Sequence, residues 1–315
     1  MKDLSISIVN FNTREPLRLC LKSIKENIKG IDYEVIVADN NSKDGSVEMV
    51  KSEFSFVKLI INKENKGATI AKNQIFREAR GNYILILDSD IEILPGTVKE
   101  MIKFMKENPK IGILGPKIFF PNGRQQHSCN KFAPTLWSVL VNKIFFFADL
   151  RYRFYRSKIG DLYLRRRYNR PEEFTWLGGM CLLVRKEVVQ QIGGMDENFF
   201  IYYDDTDFCL RAKNIGWKIY YLPFVSVIHH MSKGVRQFSN FLYPKIFESE
   251  LYFFEKHYGK FQSKVCAALI QANMLLRMSF FSFLSLLGKD YFKKRTKAYW
   301  QVFCLAGKYF YEKTH

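Results

Sequence analysis

The sequence predicts an α/β protein with a mainly parallel central sheet flanked by helices and a helical C-terminal extension. Three observations lead to this prediction. Apolar, β-branched runs alternate with helix-length segments through the first half of the chain. Polar clusters rich in Asn and Asp follow four of these runs. The region 236–315 is basic and aromatic and contains a long apolar stretch, Cys266 to Gly288.

The elements of the first half follow the order expected of right-handed βαβ units. LSISIVNFN predicts a strand, and EPLRLCLKSIKENI predicts a helix with Pro16 in its first turn. YEVIVADNNS and VKLIINKENKG predict the second and third strands, followed by the helical segments DGSVEMVKSEF and ATIAKNQIFREAR. NYILILDSD predicts a fourth strand, buried on both faces because Tyr83 to Leu87 is mostly apolar without alternation.

Polar clusters end all four predicted strands: Asn10–Thr13, Asp39–Ser42, Asn65–Gly67 and Asp88–Asp90. Ligands of such sheets bind beyond the carboxyl ends of the strands, so the clusters should open onto one rim. The last cluster alone is also compatible with a surface turn, because LPG follows it. Two aspartates separated by a small residue can instead hold a divalent metal that bridges a diphosphate. Neither the dinucleotide-binding glycine motif nor a P-loop occurs.

Length and cysteine usage indicate a chain that folds without disulfide bonds. It has 315 residues and 47% hydrophobic content, which is enough for one large core or two modest ones. Its six cysteines are scattered and form no C-x-x-C, so neither a zinc site nor a disulfide framework is indicated. The opening MKDLSISIV has no signal-peptide pattern. We therefore expect a cytoplasmic protein.

The net charge of +18 is concentrated in two segments. Residues 143–170 hold nine Lys/Arg against two Asp/Glu, and residues 231–315 hold fourteen against five. Such segments indicate an anionic partner, either nucleic acid or a lipid surface. The stretch from Cys266 to Gly288 is long enough to span a bilayer but carries Gln271, Asn273 and Arg277. We interpret it as an interfacial amphipathic helix, with a spanning helix and a core helix as alternatives.

Eight motifs between Ile6 and His230 carry a family resemblance. In chain order they are VNFNT, VADNNSKDGS, NKGATIAKN, LDSD, WLGGMCLLVR, GGMDENFFIYYDDTDFCLR, GWKIYYLP and VIHH. Together they resemble the inverting glycosyltransferases of family 2, particularly the rhamnosyltransferase-like branch that builds bacterial surface polysaccharides. The resemblance implies a GT-A fold over 1–235. Its Rossmann-like nucleotide-binding half would be 1–120, and its acceptor-binding half 121–235, with a basic aromatic insertion at 132–170; a membrane-associating region would follow at 236–315.

The resemblance also implies roles for residues of the first half. Asn10, Thr13 and Asp39 would hold the base and ribose of the donor, with Asp39 accepting from the pyrimidine N3. The expected lining of the donor pocket is Asn41, Asn65, Gly67, Lys72, Asn73 and Asp88. Lys72 would be within reach of the diphosphate. For Asp39 and Asn73 the alternative is a structural role as helix cap or loop brace.

The implied metal ligands are Asp90, Asp88 and His229, which would hold Mn²⁺ or Mg²⁺. Asp90 matches the position that the family pattern most requires. Asp88 would either bind the metal directly or act indirectly, by binding the ribose of the nucleotide or a metal-bound water. A histidine pair after a strand is also common as a packing or surface feature, which is the alternative for His229.

In the second half, the resemblance implies that Asp205 is the base that takes the proton of the acceptor hydroxyl. Asp204 stands where the family usually has Glu, and it would contact the acceptor. Trp176 would stack on a sugar or belong to the core, and Gly178 and Gly179 would allow close approach of substrate. Asp207 lies four residues before Arg211, a spacing that favours a helical salt bridge.

We therefore expect a metal-dependent inverting hexosyltransferase. Its donor would be a UDP- or dTDP-sugar, with dTDP-rhamnose among the candidates, and its acceptor a glycan or a polyprenyl-diphosphate-linked saccharide. The basic aromatic segments would hold it on the inner face of the cell membrane. A nucleotidyltransferase should carry a Gly-rich basic loop where this chain has NFNTREP. No nucleic-acid partner is expected, because acidic strand ends repel phosphates; a non-catalytic relative would not need Asp88, Asp90, Asp205 and His229.

Overall fold

A computed structural model describes residues 2–144, 147–231, 239–285 and 290–311. The chain divides into two compact units. The first unit comprises Met1–Ala133, Phe154–Phe200 and Asp204–Gly234, and the second comprises Pro134–Arg153, Ile201–Tyr203 and Val235–His315. The predicted boundary at residue 235 and the two predicted halves stay predictions. The compact units differ from them in grouping 134–153 with the C-terminal helices.

The first unit is built on a large sheet. Its strands are β1 (Leu4–Asn10), β2 (Tyr33–Asp39), β3 (Val57–Ile61), β4 (Tyr83–Asp88), β5 (Ile91–Ile93), β6 (Ile111–Phe119), β7 (Gln125–Gln126), β9 (Glu172–Phe174), β11 (Cys181–Arg185) and β12 (Lys218–His229). A separate pair is formed by β8 (Cys129–Asn130) and β10 (Trp176–Leu177). The helices of this unit are α1 (Arg14–Asn27), α2 (Ser46–Glu53), α3 (Ala68–Glu78), α4 (Thr97–Glu107), α7 (Lys158–Arg167), α8 (Lys186–Ile192) and α9 (Asp204–Asn214).

The order of the sheet is β3-β2-β1-β4-β11-β6-β12-β5. The first four strands are parallel to one another, as the βαβ pattern predicts. Strand β11 then lies antiparallel between β4 and β6, while β6 and β12 are parallel. The sheet is therefore mixed, and the predicted parallel arrangement describes its first half. The α/β class and the flanking helices are as predicted.

Strand β4 is the central element that carries acidic residues to the rim. Its side chains alternate between two cores: Leu85 and Leu87 pack into one cluster, and Ile84 and Ile86 into the other. All four are at most 2% exposed, and burial of each contributes about 1.5–3 kcal/mol. At the start of this strand, a Cβ on Gly81 would lie 2.4 Å from the backbone nitrogen of Ser5, so glycine permits β4 to approach β1.

Helix α9 is anchored by a buried ion pair. Arg211 Nε donates to Asp207 Oδ2 at 2.7 Å, and the Asp207 side chain is fully buried. The same guanidinium donates to the carbonyl oxygens of Ile192, the last residue of α8, and of Gly194. The pair predicted from the four-residue spacing is thus present, and it fixes the helix at whose start Asp204 and Asp205 lie.

The second unit is helical. Its helices are α5 (Leu136–Ile144), α10 (Ser239–Tyr258), α11 (Lys260–Ser285) and α12 (Asp290–Tyr311); α6 (Phe147–Tyr155) lies mostly in this unit. Helix α11 packs against α12, α10 and α5. Its buried residues recur at helical spacing: Cys266, Ala267, Ile270, Asn273 and Met274.

Helix α11 covers most of the apolar stretch from Cys266 to Gly288, whose last three residues lie outside the described ranges. Across those ranges, no helix is both long and apolar enough to cross a bilayer. One face of α11 packs inside the helical unit, while Leu275, Leu276 and Phe280 are exposed. The interfacial role of this segment stays a prediction.

The buried ion pair of α9 gives a first prediction. Asp207→Ala should lower the free energy of unfolding by about 3–5 kcal/mol, because it leaves the Arg211 guanidinium partly buried without its carboxylate. The control is Lys213→Ala, since the contact between Lys213 and Glu173 is 3.8 Å long and half-exposed. That control should cost about 1 kcal/mol or less. Urea denaturation measures both, and equal losses would contradict a stabilising role for the Asp207–Arg211 pair.

Candidate active site

Strands β1, β2 and β4 bring polar side chains to one rim. The register pairs Asn10 with Asp39 on β1 and β2, and Val9 with Asp88 on β1 and β4. Asn10 Nδ2 donates to Asp39 Oδ2 at 2.7 Å, and both side chains are buried. The convergence predicted for the strand ends is therefore seen for Asn10, Asp39 and Asp88.

Hydroxyl groups complete this network. The Ser42 backbone N–H donates to Asp39 Oδ1, and Ser42 Oγ accepts from Asn10 Nδ2. Thr13 Oγ1 donates to Asn10 Oδ1 at 2.6 Å and lies 2.7 Å from Ser89 Oγ. Ser89 stands between the two acids of the D-x-D motif, so this chain of bonds joins the Asn10–Asp39 pair to the end of β4. Sequence reasoning missed Ser42 and Ser89, although both lie inside the motifs that it selected.

Three other predicted donor residues make contacts that shape loops. Asn41 has a left-handed backbone (φ 67°), and its Oδ1 accepts from Lys43 Nζ. Asn65 Oδ1 accepts from the Gly67 N–H. Gly67 also has a positive φ of 85°, and a Cβ there would lie 2.9 Å from Phe200. Glycine at this position thus allows the loop to approach Phe200 closely.

Asn73 braces a distant loop. Its Oδ1 accepts from the Met195 N–H, and its Nδ2 donates to the Met195 carbonyl, both at 2.8 Å. The Nδ2 group also lies 3.0 Å from Glu197 Oε1. These bonds match the structural alternative given for Asn73, and its predicted contact with the donor stays a prediction.

Asp88, Asp90 and His229 converge at the end of β4 and β12. They form a cluster in which each offers one ligand atom within 4.8 Å of the others. His229 Nε2 lies 3.3 Å from Asp90 Oδ1, and His229 Nδ1 lies 2.9 Å from Gln126 Oε1. If Nδ1 carries the proton, it donates to Gln126 and leaves the Nε2 lone pair toward Asp90. Gln126, which sequence reasoning missed, therefore orients the imidazole.

The electrostatics of this cluster favour a bound cation. Burial raises the pKa of Asp88 to about 6, with a further increase from the charge of Asp90. Burial would lower the pKa of His229, but the hydrogen bond and the charge of Asp90, together with the charge of Asp88, raise it overall. Two carboxylates that repel each other beside an imidazole nitrogen suit a hard or borderline divalent cation. The donor set thus fits a divalent metal and does not choose between Mn²⁺ and Mg²⁺.

Lys72 lies among the acidic groups. Its Nζ donates to Asp204 Oδ2 at 2.7 Å, and both side chains are buried. Burial would lower the pKa of Lys72, but the charges of Asp204 and Asp88 and the bond to Asp204 raise it, so the group stays an ammonium ion. Asp204, predicted to contact the acceptor, has Lys72 as its partner here; the predicted role of Lys72 toward the diphosphate also stays a prediction.

Asp205 is held by two backbone donors. The Gly179 N–H donates to Oδ2 at 2.8 Å, and the Thr206 N–H donates to Oδ1 at 2.7 Å. Burial raises the pKa of Asp205 to about 6, and the charge of Asp204 adds to the increase. A carboxylate with such a pKa is suited to accept a proton near neutral pH.

The loop from Gly178 to Met180 connects the two acidic pairs. The Gly179 N–H binds Asp205, while the Met180 carbonyl accepts from the Asp88 N–H at 2.9 Å. A Cβ on Gly179 would lie 3.2 Å from the Cβ of Asp205, so glycine permits this approach. Gly178 donates to the Ser128 carbonyl. Gly179 therefore positions the Asp205 carboxylate, and the predicted approach of substrate to Gly178 and Gly179 stays a prediction.

Trp176 lies on the short strand β10, partly buried against a core cluster. Its Nε1 donates to the Phe132 carbonyl at 3.1 Å. This placement matches the core alternative, and stacking on a sugar stays a prediction. His230 does not join the metal-ligand cluster, and its Nε2 lies 2.8 Å from Glu92 Oε2.

The sheet carries a D-x-D pair at the end of its fourth strand, and a second acidic pair begins a later helix. This arrangement is typical of glycosyltransferases of the GT-A fold. Solved structures agree with this class. A mannosyltransferase from Pyrobaculum calidifontis, in complex with GDP-Man and Mn²⁺, aligns with TM-score 0.55 at 15% identity over 99% of this chain and 90% of its own. S. aureus TarS in complex with UDP aligns with TM-score 0.52 at 16% identity over 85% of this chain and 71% of its own.

The family model of Glycosyl transferase family 2 matches residues 5–193, more than half of the sequence. The chain belongs to this family. It is 28% identical over 208 residues to the N-acetylglucosaminyl-diphospho-decaprenol L-rhamnosyltransferase of Mycobacterium tuberculosis, a match covering 62% of this chain and 66% of that protein, just under two thirds. It is 24% identical over 289 residues to a low-salt glycan biosynthesis hexosyltransferase of Haloferax volcanii, covering 89% of this chain and 86% of that protein.

The metal-ligand cluster gives a second prediction. Addition of MnCl₂ to EDTA-treated protein should raise the melting temperature, since a ligand at 100 times its Kd stabilises the folded state by about 2.7 kcal/mol. Asp90→Asn should abolish most of this rise while raising the melting temperature of the metal-free protein, because it removes repulsion with Asp88. His230→Gln is the control, and a loss of the Mn²⁺ effect in that variant would place the metal elsewhere.

Proposed function

We propose that the protein transfers a sugar from a nucleotide-sugar to a hydroxyl group of a lipid-linked saccharide, with inversion at the anomeric carbon. The observation that carries this proposal is the loop from Gly178 to Met180, which holds Asp205 through one residue and the Asp88 backbone through the next. One loop thus links the backbone of a proposed metal ligand to the proposed base. The similarity to the mycobacterial rhamnosyltransferase, whose name gives a polyprenyl-diphosphate-linked acceptor, supports the acceptor class.

On the donor side, Asp88, Asp90 and His229 would hold the divalent cation. When bound, such a cation supplies positive charge to the leaving diphosphate. The ammonium group of Lys72 would add a second positive charge near the diphosphate. It interacts electrostatically with Asp88, whose charge raises the pKa of Lys72. The polar network of Asn10, Asp39 and Thr13 forms the rim where we place the base and ribose of a UDP- or dTDP-sugar, with Asp39 as acceptor for the pyrimidine N3.

On the acceptor side, Asp205 takes the proton of the attacking hydroxyl. The Gly179 and Thr206 amides fix both carboxylate oxygens, so the base is preorganised. The new bond forms between the acceptor oxygen and the anomeric carbon as the bond to the diphosphate breaks, and the proton remains on Asp205. One displacement of this kind inverts the anomeric centre and needs no covalent intermediate.

We also propose that the enzyme works at the cytoplasmic face of the membrane, where a polyprenyl-diphosphate acceptor would be embedded. The basic aromatic segments support this location, since cationic residues attract anionic lipid and aromatic residues favour the interface. Flotation with anionic liposomes at low salt tests it. Recovery of all the protein in the soluble fraction would contradict the proposed location without bearing on transfer.

Substitution of the base gives the third prediction. UDP-, dTDP- and GDP-sugars are first screened for metal-dependent thermal stabilisation, where we expect a pyrimidine nucleotide-sugar to respond. Asp205→Asn should keep this stabilisation but lower transfer about 10²–10⁴-fold, the usual contribution of a general base. The matched control is Asp196→Asn, an acid in the loop before α9 whose Oδ1 accepts from Asn198. Normal transfer by the Asp205 variant would overturn the assignment.

The raised pKa of Asp205 gives the fourth prediction. Only the carboxylate form accepts a proton, so kcat/KM should fall as the pH drops through about 6, by about tenfold per unit at lower pH. Asp204→Asn removes a charge that raises this pKa and should move the midpoint to lower pH. The profiles are recorded at saturating metal, where Asp88, whose pKa is also about 6, stays ionised. An unchanged midpoint would argue that another group controls the acidic limb.

A further inference from the structure

A cluster of cationic side chains lies on the edge of the sheet that also carries the acidic site. Strand β6 is parallel to β12, and its Lys117 and Phe119 pair with Ser226 and Ile228, immediately before His229. The cationic side chains near this end of β6 are Lys117, Arg124, Arg156 and Arg165. We refer to these four residues as the β6 cation cluster.

Aromatic rings hold the cluster together. Lys117 Nζ and the Arg165 guanidinium lie 5.9 Å and 5.1 Å from the centre of the Phe119 ring. The Arg156 guanidinium lies 4.8 Å from the ring of Phe120. Two cations on one ring repel each other, although the faces of aromatic rings attract each of them. A bound anion would reduce this repulsion and stabilise the arrangement.

Among the described residues, Asp161 is a carboxylate that binds this cluster. Asp161 accepts from Arg165 Nε and also from the Gln125 N–H. Among the described residues, Lys117 has neither an ion pair nor a hydrogen bond from its ammonium group. Partial burial lowers the pKa of Lys117, and the charge of Arg165 lowers it further. A half-buried ammonium group that shares one ring with a guanidinium favours the binding of an anionic ligand.

An apolar helix face adjoins these cations. Helix α7 carries Arg165 and also Ile159, Leu162 and Tyr163, which are 72%, 51% and 45% exposed. Their three- and four-residue spacing places them on one side of the helix. Phe154, 40% exposed, packs on Tyr163 with ring centres 6.1 Å apart. An exposed apolar face beside a cation cluster complements a ligand that joins a polyanionic head to an apolar tail.

We infer that the β6 cation cluster and the exposed face of α7 bind the diphosphate and the first isoprenoid units of the lipid-linked acceptor. The inference rests on the proposed function, since it assigns a place to the acceptor of that reaction. Lys117 and Arg165 contact the diphosphate oxygens, and the apolar face of α7 contacts the lipid. The position of the cluster beside the end of β12 places the acceptor phosphate on the edge of the sheet that carries His229.

Binding of farnesyl diphosphate to the full chain tests this site directly. Calorimetric titration in EDTA prevents a metal-bridged diphosphate from binding at Asp88 and Asp90. We expect the unaltered protein to bind, and Lys117→Gln to bind at least about tenfold more weakly, because a charge-assisted hydrogen bond is lost. Lys117→Arg should retain most of the affinity. The matched control is Lys110→Gln, an exposed lysine just before the opposite end of β6, which should bind like the unaltered protein.

The outcomes separate the possible ligands. Failure of the unaltered protein to bind farnesyl diphosphate, or equal affinity in the Lys117→Gln and Lys110→Gln variants, would overturn the inference. Sedimentation with phosphatidylglycerol vesicles provides the second arm, in which both variants should bind alike. A vesicle defect specific to Lys117→Gln, with farnesyl diphosphate binding intact, would assign the cluster to phospholipid head groups and overturn the acceptor site. Farnesol should bind both variants equally.

The binding measurement needs neither donor nor metal, so it is independent of transfer. A protein that binds farnesyl diphosphate through Lys117 but transfers no sugar would contradict the proposed function alone. With an active preparation, Lys117→Gln should raise the KM for a diphosphate-linked acceptor about tenfold and leave donor hydrolysis unchanged. An unchanged KM would overturn the inference while leaving the proposed function intact.

Discussion

The site depends on the balance of charge between two buried acidic pairs and one lysine. Asp88 ends β4 and Asp90 lies two residues later, while Asp204 and Asp205 begin α9. Unit charges 4 Å apart interact by about 4 kcal/mol at an effective dielectric constant of 20. The Lys72 ammonium binds Asp204, and the charges of Asp88 and Asp205 also act on it. A single buried cation therefore stabilises residues from both pairs and couples them electrostatically.

The scaffold makes this balance possible because it fixes both pairs rigidly. Strand β4 packs into core clusters on both faces and lies between β1 and β11. Helix α9 is anchored through Asp207 and Arg211. The loop from Gly178 to Met180 then bonds to Asp205 and to the Asp88 backbone. The held backbones keep the carboxylates close together, and burial, with the charge of the neighbouring acid, raises the pKa of Asp88 and of Asp205.

Sequence patterns predicted those parts of the structure that depend on local periodicity and on motifs. The four parallel strands, the double burial of β4 and the Asp207–Arg211 pair are of this kind. The antiparallel insertion of β11 between β4 and β6 was not predictable, because it joins segments about 70–100 residues apart and no local signal sets their order. The Lys72–Asp204 pair and the Asn73 brace depend likewise on how α3 packs near α9 and the loop before it. The motifs identified these residues, but the packing of distant elements determines their hydrogen-bond partners.

The same charge balance explains why cation and donor should bind cooperatively. Four carboxyl groups, those of Asp88, Asp90, Asp204 and Asp205, lie around the Lys72 ammonium, so acidic groups outnumber this cation. A diphosphate entering this site would add negative charge to it. A divalent cation at Asp88 and Asp90 lowers that cost, and by linkage a bound diphosphate increases the affinity for the cation by the same factor. Under the proposed function, the acidic rim would therefore disfavour the donor alone and favour it together with a metal.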